Sequence, residues 1–349
     1  MIPVPVAVGT ILGRSIRRSL TGRRLAAAHG LVPPSRLDIR RPGPDPEADA
    51  VLDAAAGGDW QRAADYLAQT GAEDWDVRWY RAQRLGDTAA RDASWLAAWR
   101  AARPDDPGAA LVYGAGMVRH AFIVRGGRFA DSTSGDRLAG FRRGLERALP
   151  ACTEAARLAA DDPTPWVARI SVAYGLGWPH DRFAELWSEI TARDPHHYGA
   201  HDRALQYWSA KWRGSHRLMT GFADEAAASA PRGSLLPVLP LLARCEEESM
   251  GAEDVWVRPD VAAAIGAALD AVAAAPATHH RLPVARHVLA YALTQTDRYA
   301  EATEQFRAIG GYAGAVPWTY RPDPRMEFAR VRATAFTRWA KARRSAPAA

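Results

Sequence analysis

Apolar side chains recur along this chain at helical spacing and stop at prolines. One pattern returns: an apolar residue, a second four positions on, a small or apolar residue three further, then Pro five further. Trp95, Trp99, Ala102 and Pro107 carry it. So do Ala151, Ala155, Leu158 and Pro163, then Phe183, Trp187, Ile190 and Pro195, then Met219, Ala223, Ala226 and Pro231. Ala63, Leu67 and Thr70 repeat the start of it, as do Ala302, Phe306 and Ile309, without the proline. Spacings of four and three place three side chains on one helical face. The proline lacks an N–H and clashes with a preceding carbonyl, so the helix must end near it.

The interval from Pro163 to Pro195 is 32 residues, and from Pro195 to Pro231 it is 36. Such periods suit a pair of helices stacked on its neighbours. From Pro107 to Pro163 is 56 residues, and the excess holds Arg125–Asp136, rich in turn formers and read as an ordered inserted loop. Arg137–Leu158 resumes as a long helix, Gly251–Pro259 is a second break, and Pro324–Arg344 is a closing helix. That last helix puts Phe328, Val331, Ala335 and Trp339 on one face and Arg on the other.

The expected organisation is a flexible basic tail and Pro-rich linker over residues 1–48, a helical array over 49–344, and a disordered end over 345–349. In the tail, Met1–Leu12 is apolar but its positive charges follow it, the reverse of a secretory signal. Ile11–Ala28 could instead form a short basic helix that touches anionic lipid. Gly9-Thr-Ile-Leu-Gly13-Arg14-Ser15 has one residue too few between its glycines, and no Lys, for a phosphate-binding loop.

Composition narrows the classes. A hydrophobic fraction of 48% is ample for a core. Abundant Ala and sparse β-branched residues favour helix. The net charge of +6 is spread through mixed acidic and basic stretches, and no nucleic-acid-binding motif accompanies it, so the expectation is no nucleic-acid partner. Cys152 and Cys245 have no paired spacing, which suggests a reducing, cytoplasmic setting. No apolar run reaches the roughly 20 residues of a membrane span.

Asp297-Arg-Tyr-Ala-Glu-Ala-Thr-Glu-Gln-Phe306 resembles the second helix of a tetratricopeptide repeat, and Gly58-Asp-Trp-Gln-Arg-Ala63 does so more weakly. Over residues 110–250 the chain also resembles a bacterial family of tetratricopeptide-like proteins, DUF4034. The residues that carry this are Arg125-Gly-Gly-Arg-Phe-Ala-Asp-Ser-Thr133, Asp162-Pro-Thr-Pro-Trp166, Asp194-Pro-His-His-Tyr-Gly-Ala-His201 and Leu205-Gln-Tyr-Trp-Ser-Ala-Lys-Trp-Arg-Gly-Ser-His216. The resemblance implies an all-α fold, a right-handed solenoid of helical hairpins, and no particular reaction.

The most distinctive stretch is His197–Phe222. Tyr198, His201, Leu205 and Trp208 fall at helical spacings, and Trp212 lies four beyond Trp208, so both indoles are expected on one face. Gly214 is placed to end the helix in a left-handed conformation and Ser215 to cap the next. Lys211 could lay its stem over an indole. Two readings remain open: a tight helix–helix corner, or a binding patch of Tyr198, His201, Trp208, Lys211, Trp212 and Ser215 on a concave face.

The histidines offer a rival chemistry. His197 and His201 stand at i,i+4, a spacing that can bind zinc, and His216 and Lys211 are near in sequence. No Glu stands between the histidines as in a metalloprotease helix, and no nucleophile motif is present. Glu246-Glu247-Glu248 reads as a solvated helix face, and Asp161-Asp162 as a helix cap. Many of the 13 Trp should pack between helices, Trp60, Trp75, Trp95, Trp99 and Trp187 among them. The function expected from all this is protein or peptide binding by a scaffold without cofactor, the alternative being an enzyme or metal protein built on the histidines.

Overall fold

The computed structural model describes residues 27–71, 74–126 and 133–345. The N-terminal segment 1–26, residues 72–73, half of the turn-rich insertion (127–132) and the last four residues lie outside them. The regular elements among the described residues are all helices, with no strand. The helices are α1 (Pro46–Ala56), α2 (Trp60–Ala68), α3 (Trp75–Ala89), α4 (Ser94–Ala102) and α5 (Pro107–Arg125). Then come α6 (Gly135–Leu158), α7 (Thr164–Leu176), α8 (His180–Thr191), α9 (Tyr198–Trp208) and α10 (His216–Ala228). The last are α11 (Leu239–Ser249), α12 (Val261–Ala274), α13 (Leu282–Gln295), α14 (Tyr299–Ile309) and α15 (Pro324–Ser345). None is long and apolar enough to cross a membrane.

The proline-terminated pattern falls on α4, α6, α8 and α10, and its proline-free form on α2 and α14. Its apolar positions are buried, Leu67, Trp95, Trp99, Ala155, Phe183, Ile190, Met219 and Phe306 among them. At several junctions an aspartate binds the new helix's orphan N–H groups. Asp106 accepts from the amides of Gly108 and Ala109 (2.8 and 3.2 Å). It also accepts from the Trp99 indole N–H at 3.0 Å, so one carboxylate ties the end of α4 to the start of α5. Asp162 receives the Thr164 amide and hydroxyl (2.8 and 2.6 Å) at the head of α7, and its second oxygen takes the Arg78 guanidinium at 2.6 Å.

The chain forms two compact units. The first spans Asp45–Leu236 and contains α1 to α10. At its middle is α5, packed along α3, α6 and α7. Small residues make this possible. A Cβ built on Gly86 of α3 would stand 3.0 Å from the Gly116 amide nitrogen of α5, so the two backbones nearly touch. On another side of α5, Gly114 lies against Cys152 of α6.

The second unit combines residues up to Pro44 with those from Pro237 onward. Residues 32–42 were expected as tail and linker, but they run along this unit's helices. Leu37 is buried. The Asp38 amide donates to Gly311 O at 2.8 Å and the Ala313 amide to Asp38 O at 2.7 Å. Arg332 of α15 donates to Val32 O at 2.7 Å and is itself buried, against the expected outward Arg face. The glutamates of α11 also depart from expectation. Glu246 and Glu247 are buried, and Glu247 accepts from Arg244 and Arg258 (3.2 and 3.0 Å). Glu248 accepts from the Tyr291 hydroxyl at 2.6 Å. Guanidinium partners on neighbouring segments make this burial tolerable.

His287 of α13 fastens the N-terminal segment to an aromatic cluster of Trp318, Phe328, Tyr291 and Phe306. Its Nε2–H donates to Pro42 O at 2.9 Å, and its Nδ1 accepts the Trp318 indole N–H at 2.7 Å. Both nitrogens are committed to the neutral ring. Burial depresses its pKa from 6.5 to about 4, against a raising effect of the bond to Pro42. Because the unfolded ring binds its proton first, the stability this site contributes is whole above pH 6.5. It is lost as pH falls towards 4, by up to about 3 kcal/mol. Urea unfolding at pH 7 and pH 4.5 should therefore show a larger acid loss for the wild type than for His287→Gln. Equal losses would refute the assignment.

Candidate functional site

The corner between α9 and α10 begins where α9 is nucleated. His197 is its N-cap: Nδ1 accepts the Ala200 amide at 3.2 Å. Asp76, on α3, accepts the Gly199 amide at 2.8 Å, which pins the head of α9 to the start of α3. One turn on, His201 donates from Nδ1 to His197 O at 3.0 Å. Its ring packs between Trp187 and Phe222 (centroids 5.0 and 5.6 Å apart). Burial lowers its pKa, opposed by the bond to His197. Both Nδ1 atoms are thus engaged by backbone groups of the same turn. Among the described residues no group of three or more His, Cys, Asp or Glu gathers to hold a metal ion.

The two indoles expected on one face go to different places. Helix α9 ends at Trp208, because Ser209 turns extended with ψ of 151°. Trp208 packs on His180, Phe183 and Tyr207 (centroids 4.9, 5.6 and 5.0 Å). Trp212, beyond the helix, packs on Tyr174 of α7 at 4.9 Å and Phe122 of α5 at 6.3 Å, with the Arg125 guanidinium 5.1 Å from its ring centre. The i,i+4 argument fails here because it holds only while the helix continues. Lys211 lies half-buried in the turn between them, and Tyr198 is buried at the head of α9.

Gly214 serves close approach and not a left-handed turn. A Cβ there would fall 1.8 Å from Trp208 O, since the chain folds back onto the end of α9. The Ser215 amide completes the fold-back by donating to Trp208 O at 3.0 Å. The Ser215 hydroxyl then caps α10 as expected, accepting the Leu218 amide at 3.2 Å. His180 closes the outside of the turn by donating from Nε2 to Arg213 O at 2.9 Å. His216 only opens α10. The six patch residues therefore do not converge. His201, Trp208 and Ser215 hold the corner, and Trp212 leaves it for a polar recess.

The polar group that Trp212 joins lies where α3, α7 and α9 pack on one another, with α5 packed along α3 and α7. Arg203 of α9 lies with its guanidinium 4.9 Å from the ring centre of Trp79 of α3. It donates from Nη1 to Ser171 Oγ of α7 at 2.9 Å, and the Tyr174 hydroxyl donates to the same oxygen at 3.2 Å. The buried Nε of Arg203 has no partner among the described residues. Asp87 of α3 pairs with Arg119 of α5 at 3.1 Å. Burial pushes the Asp87 carboxyl up, against the pull of Arg119, Arg203 and Arg84. Its side chain is still 38% exposed. Tyr174 joins this polar group to Trp212 and Arg125. A guanidinium held by a neutral hydroxyl and an aromatic face keeps donors for an incoming carboxylate.

The sequence contains a faint signal for this group. Ser171 and Tyr174 stand at i,i+3 on the mostly apolar α7, whose other polar residues are Thr164 and Arg169, and Arg203 stands between the buried His201 and Ala204 of α9. Neither makes a motif by itself. Comparison with known proteins adds nothing to it: no family model, no curated protein and no solved structure matches the chain.

Two substitutions separate the corner's parts. Gly214→Ala should cost about 3 kcal/mol or more, because its methyl has no space beside Trp208. Ser215→Ala should cost about 1 kcal/mol, the usual worth of a cap. Equal, small effects in thermal unfolding would disprove the close approach at Gly214.

Proposed function

We propose that this chain belongs to the tetratricopeptide-like family it resembles and is a cytoplasmic adaptor of helical hairpins that binds a protein or peptide partner. Proline-terminated helices of matching period support the repeat reading. One observation carries the binding reading: Arg203 is set on Trp79 and Ser171, its buried Nε has no partner among the described residues, and the carboxylate in its field, Asp87, is paired with Arg119. Trp212 and Tyr174 adjoin it as aromatic surface. Helical-repeat proteins bind extended segments in this manner, with aromatic packing for area and guanidinium groups for anchoring. Arg119, Arg125 and Arg203 around the recess favour a partner segment with acidic side chains or a terminal carboxylate. The rival reading, catalysis or metal binding by His197, His201, His216 and Lys211, loses its footing because His197 and His201 serve the backbone of α9.

Selection of peptides from a random display library on the purified full chain tests the proposal. Enriched sequences should be acidic and should bind less tightly as salt rises. Arg203→Gln should weaken them about tenfold, equivalent to about 1.4 kcal/mol. Trp212→Ala should weaken them too, and Arg217→Gln, on the exposed side of α10, should not. If no sequence is enriched, or enriched peptides bind Arg203→Gln and Trp212→Ala undiminished in a folded chain, the proposal fails.

A further inference from the structure

The same unit contains a separate cavity of about 300 Å³, between the end of α3 and helices α4, α5 and α6. Its floor is small and apolar: Ala89, Leu96, Gly116, Met117 and Gly144. Two of these are glycines at helix contacts: a Cβ on Gly116 would stand 3.4 Å from Ala89, and one on Gly144 would stand 2.8 Å from Ala121 of α5. Its polar groups are of one kind. Arg91, Arg147 and His120 stand exposed at the rim, Tyr113 lines a wall, and no carboxylate lines it.

These groups have unused capacity. Arg147 forms no ion pair among the described residues, whereas Arg91 acts on the Asp87 carboxyl four positions before it. The Tyr113 ring is covered on one face by Arg100, 3.8 Å from its centre, and its hydroxyl has no hydrogen bond among the described residues. His120 donates from Nδ1 to Ala90 O at 3.2 Å, which fixes the neutral tautomer and leaves Nε2 without that bond. Three local fields oppose an anion: the C-terminal end of α3, about half an elementary charge, and the carboxylates of Asp87, four positions before Arg91, and Asp92, next to it. Neither carboxylate lines the cavity, and the Arg147 guanidinium contributes a full positive charge at its rim. The rim therefore selects negative charge, and the floor selects hydrocarbon.

We infer that this cavity binds a small amphiphilic carboxylate, its short acyl chain on the glycine floor and its carboxylate held by Arg147 and Arg91, with the Tyr113 hydroxyl as a further donor. Its volume is at the lower end of the range for small-molecule sites, which suits a short chain and excludes a bulky lipid. A carboxylate matches the planar fork of one guanidinium. A free inorganic anion would gain nothing from the floor, and a neutral alcohol nothing from the rim. The site is distinct from the recess beside Trp212 and does not depend on peptide binding there.

The probe is octanoate, titrated calorimetrically into the full chain at neutral pH and low salt. Single-site saturation is expected, at least tenfold tighter than for octan-1-ol, with no saturation by octyltrimethylammonium. Arg147→Gln should weaken octanoate about tenfold, and Ala93→Leu, which projects into the cavity from an exposed position, should abolish binding. Both lie on the surface, and unchanged thermal unfolding will confirm that they fold. Octanoate that does not saturate overturns the inference, as does equal binding of the alcohol or the ammonium compound. Octanoate affinity unchanged by both substitutions places binding elsewhere and also overturns it. Tighter capture of a tetrapeptide ending in a free leucine carboxylate would reassign the cavity from a small molecule to a chain terminus. Loss of peptide selection at Arg203 would leave every one of these outcomes unaffected.

Discussion

The near-contact of α3 and α5 backbones at Gly86 and Gly116 is the constraint on which the first unit depends. A helix pair normally stands off by the length of its side chains. Here the missing Cβ atoms bring the axes together, and everything else on α5 is placed by that approach. One residue past Gly86 is Asp87, and three past Gly116 is Arg119, so the close crossing presents that ion pair to the recess. The same crossing makes Gly116 part of the floor of the acyl-sized cavity. A methyl at Gly86 would press on the Gly116 backbone of α5 and disturb the Asp87–Arg119 pair and the cavity together, whereas one at Gly116 would meet ordinary contacts at 3.4 Å. The placement of that ion pair and of the cavity thus follows from one packing choice.

The fold class was legible because it rests on local physics. Where Phe183, Trp187 and Ile190 recur and Pro195 follows, a helix forms and stops, whatever it packs against. The pattern therefore located α4, α6, α8 and α10, and Asp106 and Asp162 behave as caps for the same local reason. What could not be read locally was the destination of each segment. Residues 32–42 look like linker by composition, yet their carbonyls are taken by Arg332 and His287, roughly 300 and 245 positions away. Glu246 and Glu247 look like a solvated run. The burial of Glu247 is met by Arg244, one turn before it on α11, and by Arg258, which no periodicity connects to it.

The corner at residues 208–215 shows the boundary between these two kinds of information within eight positions. Ser215 was readable as a cap because capping needs only the helix that follows it. Gly214 was readable as a required glycine, but for the wrong reason, since close approach to Trp208 O and a left-handed turn select the same residue. Trp212 was not readable at all. Its place depends on whether α9 runs on past Trp208, and that is decided by the extended conformation of Ser209 and the return of the chain onto α9. One backbone decision thus moves the indole from the packed side of the corner to the recess.

Buried charge is met in two ways. Glu247 and Asp162 are each satisfied by guanidinium groups, and His287 is kept neutral between a carbonyl and an indole N–H. Such arrangements complete themselves within the fold and leave nothing for a ligand. Arg203 and Arg332 are held differently, each by a neutral oxygen and an aromatic face: Ser171 Oγ and Trp79 for Arg203, the Val32 carbonyl and Phe328 for Arg332. Holding a guanidinium against neutral groups forgoes a charge partner, and at both residues one buried guanidinium nitrogen is left without a hydrogen bond among the described residues, Nε of Arg203 and Nη1 of Arg332.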